Sequence, residues 1–246
     1  MNAPIVFVSG SKGGVGKSIT TMAVLDYLAT ENRYVKLLEA DTSNPDVWHS
    51  YGQSVECESV DLDEVDGWIQ LVNICDADPG KTIVINTPAR NLEAVRVHGH
   101  ILLDSLDELA RPLVTLWVIN RQRDSLELLK AYLEAMPAGV VHVVRNGYFG
   151  DERKFELFER SPLKQLILEH GGRSLYLSDL ADRVTDSLYS ARTTIEEASR
   201  HLKLGDRAVL QSWRNAVGVK WTATTLAMVR PRRSSSRDVG SGSRRG

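Results

Sequence analysis

The chain is predicted to be an α/β protein, with a mostly parallel sheet and helices on both faces. Short apolar runs alternate with segments of helical periodicity along most of the sequence. The runs are nearly continuous in apolar residues, as strands buried on both faces require. A glycine-rich turn separates the first run from the first helix.

The elements follow in order. Pro4-Ile-Val-Phe-Val-Ser9 reads as the first strand, and Gly10 to Gly16 as a loop. Lys17 to Thr30 reads as a helix, with Met22, Leu25, Leu28 and Ala29 at helical spacing. Tyr34 to Glu39 is a second strand that ends in the polar turn Ala40 to Pro45. Residues 46–80 read as helical and acidic, closing in the turn Asp78-Pro79-Gly80 before a third strand, Thr82 to Asn86. Residues 91–110 are expected to be helical, Leu113 to Ile119 a strand, and Asp124 to Met136 a helix. Val140 to Arg145 is the fifth strand. Helical residues near 153–169 lead to a last strand at Ser174 to Leu177 and a helix at Thr193 to Leu204.

The 246 residues are 42% hydrophobic and 25% charged, ordinary values for a chain that buries a sizeable core. No apolar run approaches the roughly 18–20 residues that span a bilayer. The N-terminus lacks the charged start and apolar stretch of a signal peptide. Cys57 and Cys75 are too few for a disulfide scaffold, so a cytoplasmic location is expected. The six histidines show no metal-ligand spacing beyond His98-x-His100, whose side chains face different ways on a helix. Trp48, Trp68, Trp117, Trp213 and Trp221 are dispersed and expected to pack in the core or at an interface.

Charge divides the chain into an acidic body, residues 1–228, and a basic tail, residues 229–246. The tail has six arginines against Asp238, a charge of +5; with −2 for the whole chain, the body carries −7. From Ser234 its Ser/Gly/Arg composition cannot repay ordering entropy, so the tail is expected to be disordered. Such a tail attracts DNA phosphates or an acidic membrane surface, or stays solvated with no partner. Trp221, Leu226, Met228 and Val229 precede Pro231 in a stretch too short for an amphipathic anchor, so membrane binding is not expected.

The strongest motif is Ser11-Lys12-Gly13-Gly14-Val15-Gly16-Lys17-Ser18 between a strand and a helix. Glycines let backbone N–H groups turn toward an anion, and the helix N-terminus adds its positive end. Lys17 would reach the β- and γ-phosphates of a nucleotide, and the Ser18 hydroxyl would ligate Mg²⁺.

The general Walker A pattern has glycine where this chain has Ser11, and makes no use of Lys12. With that second lysine the loop resembles the deviant Walker A loop of the ParA/MinD family of dimeric P-loop ATPases. In order and spacing of elements the resemblance covers about residues 3–205. It implies ATP and Mg²⁺ as cofactors, held by Ser11, Gly13, Gly14, Val15, Gly16, Lys17, Ser18 and Ile19. It implies that Lys12 reaches across an ATP-dependent homodimer to the partner's phosphates. In Glu39-Ala-Asp41, Asp41 matches the acid that orients the attacking water, and Glu39 replaces the family's first Asp. As a residue type alone, Asp41 also fits a turn acid. Ile83-Val-Ile-Asn86-Thr-Pro88 resembles the Walker B strand and its Asp-Thr-Pro turn, with Asn86 in place of the acid. Asn86 could still hold a Mg²⁺-bound water through its amide oxygen, but without charge. Thr87 and Pro88 match the segment that senses the γ-phosphate. Asn146 matches the residue that reads the adenine edge, although Asn146-Gly147 is also a common turn pair. Tyr176 to Arg183 lacks the proline of the family's Ile-Pro-Arg, so no contact is assigned there.

The expected function is an ATP-dependent dimerising switch ATPase for DNA partition, segregation or plasmid mobilisation. It would cycle between an ATP-bound dimer and an ADP-bound or apo monomer, with DNA or a DNA-bound adaptor as partner. Slow hydrolysis is expected from Asn86. Two other classes stay open: a nucleotide-gated scaffold with little hydrolysis, and a MinD-like membrane-associated positioning protein.

Overall fold

The computed structural model describes residues 2–10, 12–222 and Thr224; Ser11 and the whole basic tail from residue 229 lie outside the described residues. The first half of the chain runs β1 (Ile5–Gly10), α1 (Lys17–Thr30), β2 (Val35–Glu39), α2 (Asp46–Tyr51), β3 (Glu56–Ser59), α3 (Val65–Ala77), β4 (Thr82–Asn86), α4 (Leu92–His98) and α5 (His100–Leu109). It continues through β5 (Leu113–Ile119), α6 (Arg123–Ala135), β6 (Val140–Asn146), α7 (Glu156–Glu159), α8 (Pro162–Glu169), β7 (Ser174–Leu177), α9 (Asp182–Ala191), α10 (Ile195–His201) and α11 (Leu204–Trp221).

The seven strands form one sheet in the order β3-β2-β4-β1-β5-β6-β7, and every pairing is parallel. Side chains alternate between two cores. Val6, Val8, Leu37, Val84, Leu116 and Val118 pack with α1, α10 and α11 on one face. Ile5, Phe7, Leu38, Ile83, Ile85 and Trp117 pack with α3, α5 and α6 on the other. The continuous apolar runs thus come from strands with two buried faces. All five tryptophan positions are described; Trp68, Trp117, Trp213 and Trp221 are buried in these cores. Cys57 and Cys75 are free thiols.

Four local features depart from the sequence expectation. A seventh strand, β3, lies inside the segment read as helical. It is an edge strand whose Glu56 and Glu58 pair with Lys36 of β2, so it carries charge where a central strand carries apolar residues. The expected helix over 91–110 divides at Gly99, where a Cβ would meet the Val95 carbonyl oxygen at 2.4 Å and Met136 Sδ at 3.0 Å. Helix α9 occupies part of the stretch to which no element was assigned. Helix α11, 18 residues long, follows where the last expected helix ends. Its buried residues, Leu210, Trp213, Val217 and Trp221, recur at helical spacing along an otherwise polar segment. A bidentate ion pair from Arg214 to Asp26, at 2.8 and 2.9 Å, fastens α11 to α1. No described helix is long and apolar enough to cross a membrane.

The N-terminal edge of the sheet is held by one buried side chain. The Arg111 guanidinium donates to the carbonyl oxygens of Ala3 at 2.7 Å, Cys75 at 2.6 Å, Asp78 at 3.1 Å and Pro4 at 3.4 Å, and also to that of Lys81. It therefore ties the approaches to β1 and β4 to the end of α3. Arg111→Met leaves several buried carbonyls without donors. We expect it to lower unfolding free energy by about 2–3 kcal/mol, read as a lower urea midpoint; an unchanged midpoint would show that the carbonyls find other donors.

Candidate nucleotide-binding site

The loop between β1 and α1 turns at the C-terminal edge of the sheet, beside the ends of β2, β4 and β6. Gly16 has φ +102°, a conformation open to glycine, and a Cβ there would meet Asn146 Nδ2 at 2.2 Å. Asn146 sits at the end of β6. Its Nδ2 donates to the Val15 carbonyl at 2.9 Å, and its Oδ1 accepts from the Tyr148 N–H at 3.1 Å. Helix α1 starts without a side-chain cap and without an acid in its first turn. Its leading N–H groups therefore have no side-chain acceptor, which is the arrangement that favours an anion.

These elements enclose a cavity of about 830 Å³, lined by Gly13, Gly14, Gly16, Lys17, Ser18, Ile19, Asp41 and Asn146. That is the size range of a nucleotide-sized ligand site. Lys17 is buried, and its Nζ donates to the Lys12 carbonyl at 3.2 Å. Burial lowers the Lys17 pKa, opposed by the Asp41 charge. A bound phosphate would compensate the same buried cation. Asp41 Oδ1 accepts from the Asn44 N–H at 3.1 Å, so the acid also shapes the turn after β2. The cavity, the loop and Lys17 fit a nucleoside phosphate, and Ser18 lines the same cavity.

Below this cavity lies a pair of buried polar residues. Asn86 Nδ2 donates to Glu39 Oε1 at 2.8 Å, and Asn86 Oδ1 is 3.0 Å from the Thr21 hydroxyl. Glu39 also accepts from the backbone N–H groups of Asp41 at 3.1 Å and Trp48 at 3.2 Å. Burial pushes the Glu39 pKa up to about 7, although these three hydrogen bonds favour its charged form.

No family model matches the chain. Over 215 residues it is 55% identical to Protein MobD of Acidithiobacillus ferrooxidans, across 87% of this chain and 95% of that protein. The chain belongs to the MobD family. Its fold is similar to that of the cell division protein MinD of Aquifex aeolicus, with a TM-score of 0.50 at 16% identity over 88% of this chain and 98% of that one. The MinC:MinD complex of the same organism matches with a TM-score of 0.53 at 16% identity, over 88% and 96%. At that identity the likeness shows a shared α/β fold.

In this MobD-family chain the sequence-predicted residues separate into three places. Gly13 to Ile19, except Val15, line the cavity with Asp41 and Asn146, while Val15 is buried beneath. Asn86 lies off the cavity wall, against Glu39 and Thr21. Lys12 Nζ pairs with Asp124 Oδ2 at the start of α6, outside the lining of this cavity. Ser11 lies outside the described residues. Sequence reasoning missed the opposite wall, where Leu177 ends β7, Ser178, Asp179 and Leu180 follow it, and Tyr189 projects from α9. Only the parallel order of β6 and β7 brings that segment to the loop. Trp213 Nε1 fastens it by donating to the Ser178 carbonyl at 2.7 Å.

The Glu39–Asn86 contact changes the expectation for Asn86→Asp, which on sequence grounds would raise Mg²⁺ affinity and turnover. The substitution sets two buried carboxyls in contact, so one must take up a proton or the pair separates. With Glu39 at about 7 against an ordinary 4.5, the native state holds a proton that the unfolded chain releases. Wild-type stability therefore falls as pH rises through this window, by about 3 kcal/mol if the full shift applies. Urea melts at several pH values should show a steeper fall for Asn86→Asp and a flatter profile for Glu39→Gln. Restored stability in the double variant Glu39→Gln/Asn86→Asp is expected from the reciprocal exchange; additive losses would reject the pairing.

Proposed function

We infer that this protein is an ATP-dependent dimerising switch that acts in the movement of DNA, in mobilisation or partition. The observation that carries this reading is the separation of the two loop lysines. Lys17 is buried in the phosphate cradle, whereas Lys12 is held outside it by Asp124. One nucleotide cavity has a use for Lys17 in cis. Lys12, 45% exposed, is free to reach the phosphates of a second copy once it leaves Asp124. In that dimer it supplies charge in trans. Asp41 orients the attacking water, Ser18 ligates Mg²⁺, and the second hydrogen of Asn146 Nδ2 is available to a base. A MobD relative is consistent with a mobilisation-type protein. DNA or a DNA-bound adaptor is the partner, and slow hydrolysis resets the switch.

A nucleotide-gated scaffold with little turnover is the second reading. It is favoured by the Glu39–Asn86 pair, which keeps the Glu39 carboxylate off the cavity wall. Turnover measured with and without DNA separates the two.

Calorimetry should show ATP affinity lowered about 10–100-fold in Lys17→Ala, the loss of a charge-assisted contact. Lys12→Ala should bind ATP as wild type and stay monomeric in light scattering with ATP, ADP or no nucleotide, with and without duplex DNA. ATP-dependent dimers in Lys12→Ala would reject the trans role. For the basic tail, the slope of log K against log salt for DNA is expected at about −2 to −4. Deleting residues 230–246 should flatten it; an unchanged slope would move DNA binding to the folded body.

A further inference from the structure

A second cavity, about 630 Å³, adjoins the phosphate loop. Gly13 lines both cavities, and Ala89 of the first is followed directly by Arg90 and Asn91 of the second. Leu92, Val95, Leu128 and the Tyr132 ring form its apolar wall. Two polar groups in the wall are buried without partners. Asn91 is 5% exposed, and neither end of its amide has a hydrogen bond; Trp117 is 2% exposed, and its indole N–H has no acceptor. Leaving such a group unpaired costs about 1–3 kcal/mol. Neither has a role in the nucleotide cavity. The rim is cationic: Lys12, Arg90 and Arg96, offset by Glu93, with Asp124 holding Lys12. Arg90 is also held at φ +65°, the left-handed region that arginine seldom adopts.

These groups select among ligands. A carboxylate or phosphate accepts from Trp117, from the Asn91 amide nitrogen and from the arginines, but leaves Asn91 Oδ1 without a donor. A peptide group presents C=O and N–H together and satisfies both ends of Asn91. The rim favours acidic side chains beside that peptide group, and the wall takes an aliphatic one.

We propose that this cavity docks a short acidic segment of a partner protein, an aliphatic residue flanked by acids. The Asn91 amide and the Trp117 indole N–H, covered in the free protein, turn to the segment's backbone as it enters, and Arg90 and Arg96 take the flanking carboxylates. Because Lys12 is part of the rim, the bound segment competes with Asp124 for it.

The probe is the capped peptide acetyl-Glu-Leu-Glu-amide, titrated into the full chain carrying isotope-labelled tryptophan. No nucleotide is present, so the result is independent of the ATP reading. The indole N–H resonance assigned to Trp117 through Trp117→Phe is expected to shift and saturate, while the other four indoles stay in place. Arg96→Gln and Asn91→Leu should each weaken the peptide about tenfold, the size of one lost contact to a buried or charged group. Arg96 is exposed, so Arg96→Gln should keep the wild-type melting temperature and ATP affinity. Capped Gln-Leu-Gln should bind weaker by at least the same factor. Three results would overturn the proposal: no Trp117 shift at millimolar peptide, equal affinity in Arg96→Gln and wild type, or the same shift from inorganic phosphate with displacement of the peptide. The last would identify a simple anion site.

Discussion

A single hydrogen bond across the C-terminal edge of the sheet shapes the site: Asn146 Nδ2 to the Val15 carbonyl, at 2.9 Å. Asn146 ends β6, which is separated from β1 by β5, so the bond can form only when those three strands lie in order. It draws the loop against the sheet until Gly16 has no room for a Cβ. With the loop fixed there, α1 starts at Lys17, and its uncapped first turn and the buried lysine face the same cavity. The parallel sheet supplies the fixed frame, because both of its faces are covered and the strand ends cannot shift independently.

Beneath that loop the chain handles buried charge by neighbours rather than by exposure. Desolvation works against both ionised groups, lowering the Lys17 pKa and raising that of Glu39. Asn86, Asp41 and Trp48 donate to Glu39, so its carboxylate is satisfied from within. Lys17 has a loop carbonyl and the more distant charge of Asp41. The imbalance is local: the acid is complete without a ligand, and the cation gains from an anion. Glu39 on β2 and Asn86 on β4 thus fill the space between the strands with one carboxyl and one amide.

Lys12 links the loop to the rest of the molecule. Its pairing with Asp124 places the loop's first lysine against α6, on the side where the second cavity opens. Gly13 and the segment after β4 form walls of both cavities.

The sequence by itself determined the α/β class, the position of every central strand, and the glycine-rich loop whose cavity Lys17, Ser18 and Asp41 line. These were legible because they rest on local chemistry: continuous apolar runs, and glycines and lysines at fixed spacing. Edge strand β3 and helix α11 were not, because their amphipathic faces are narrow and only packing against β2 and α1 gives them meaning. The partners of the site residues were decided by tertiary structure alone. Glu39 lies 47 residues from Asn86, Asn146 lies 131 from Val15, and Lys12 is far from Asp124 in sequence. Hydrogen bonds between such distant positions leave no periodicity or spacing in a chain, since strand order, rather than residue order, sets which side chains meet.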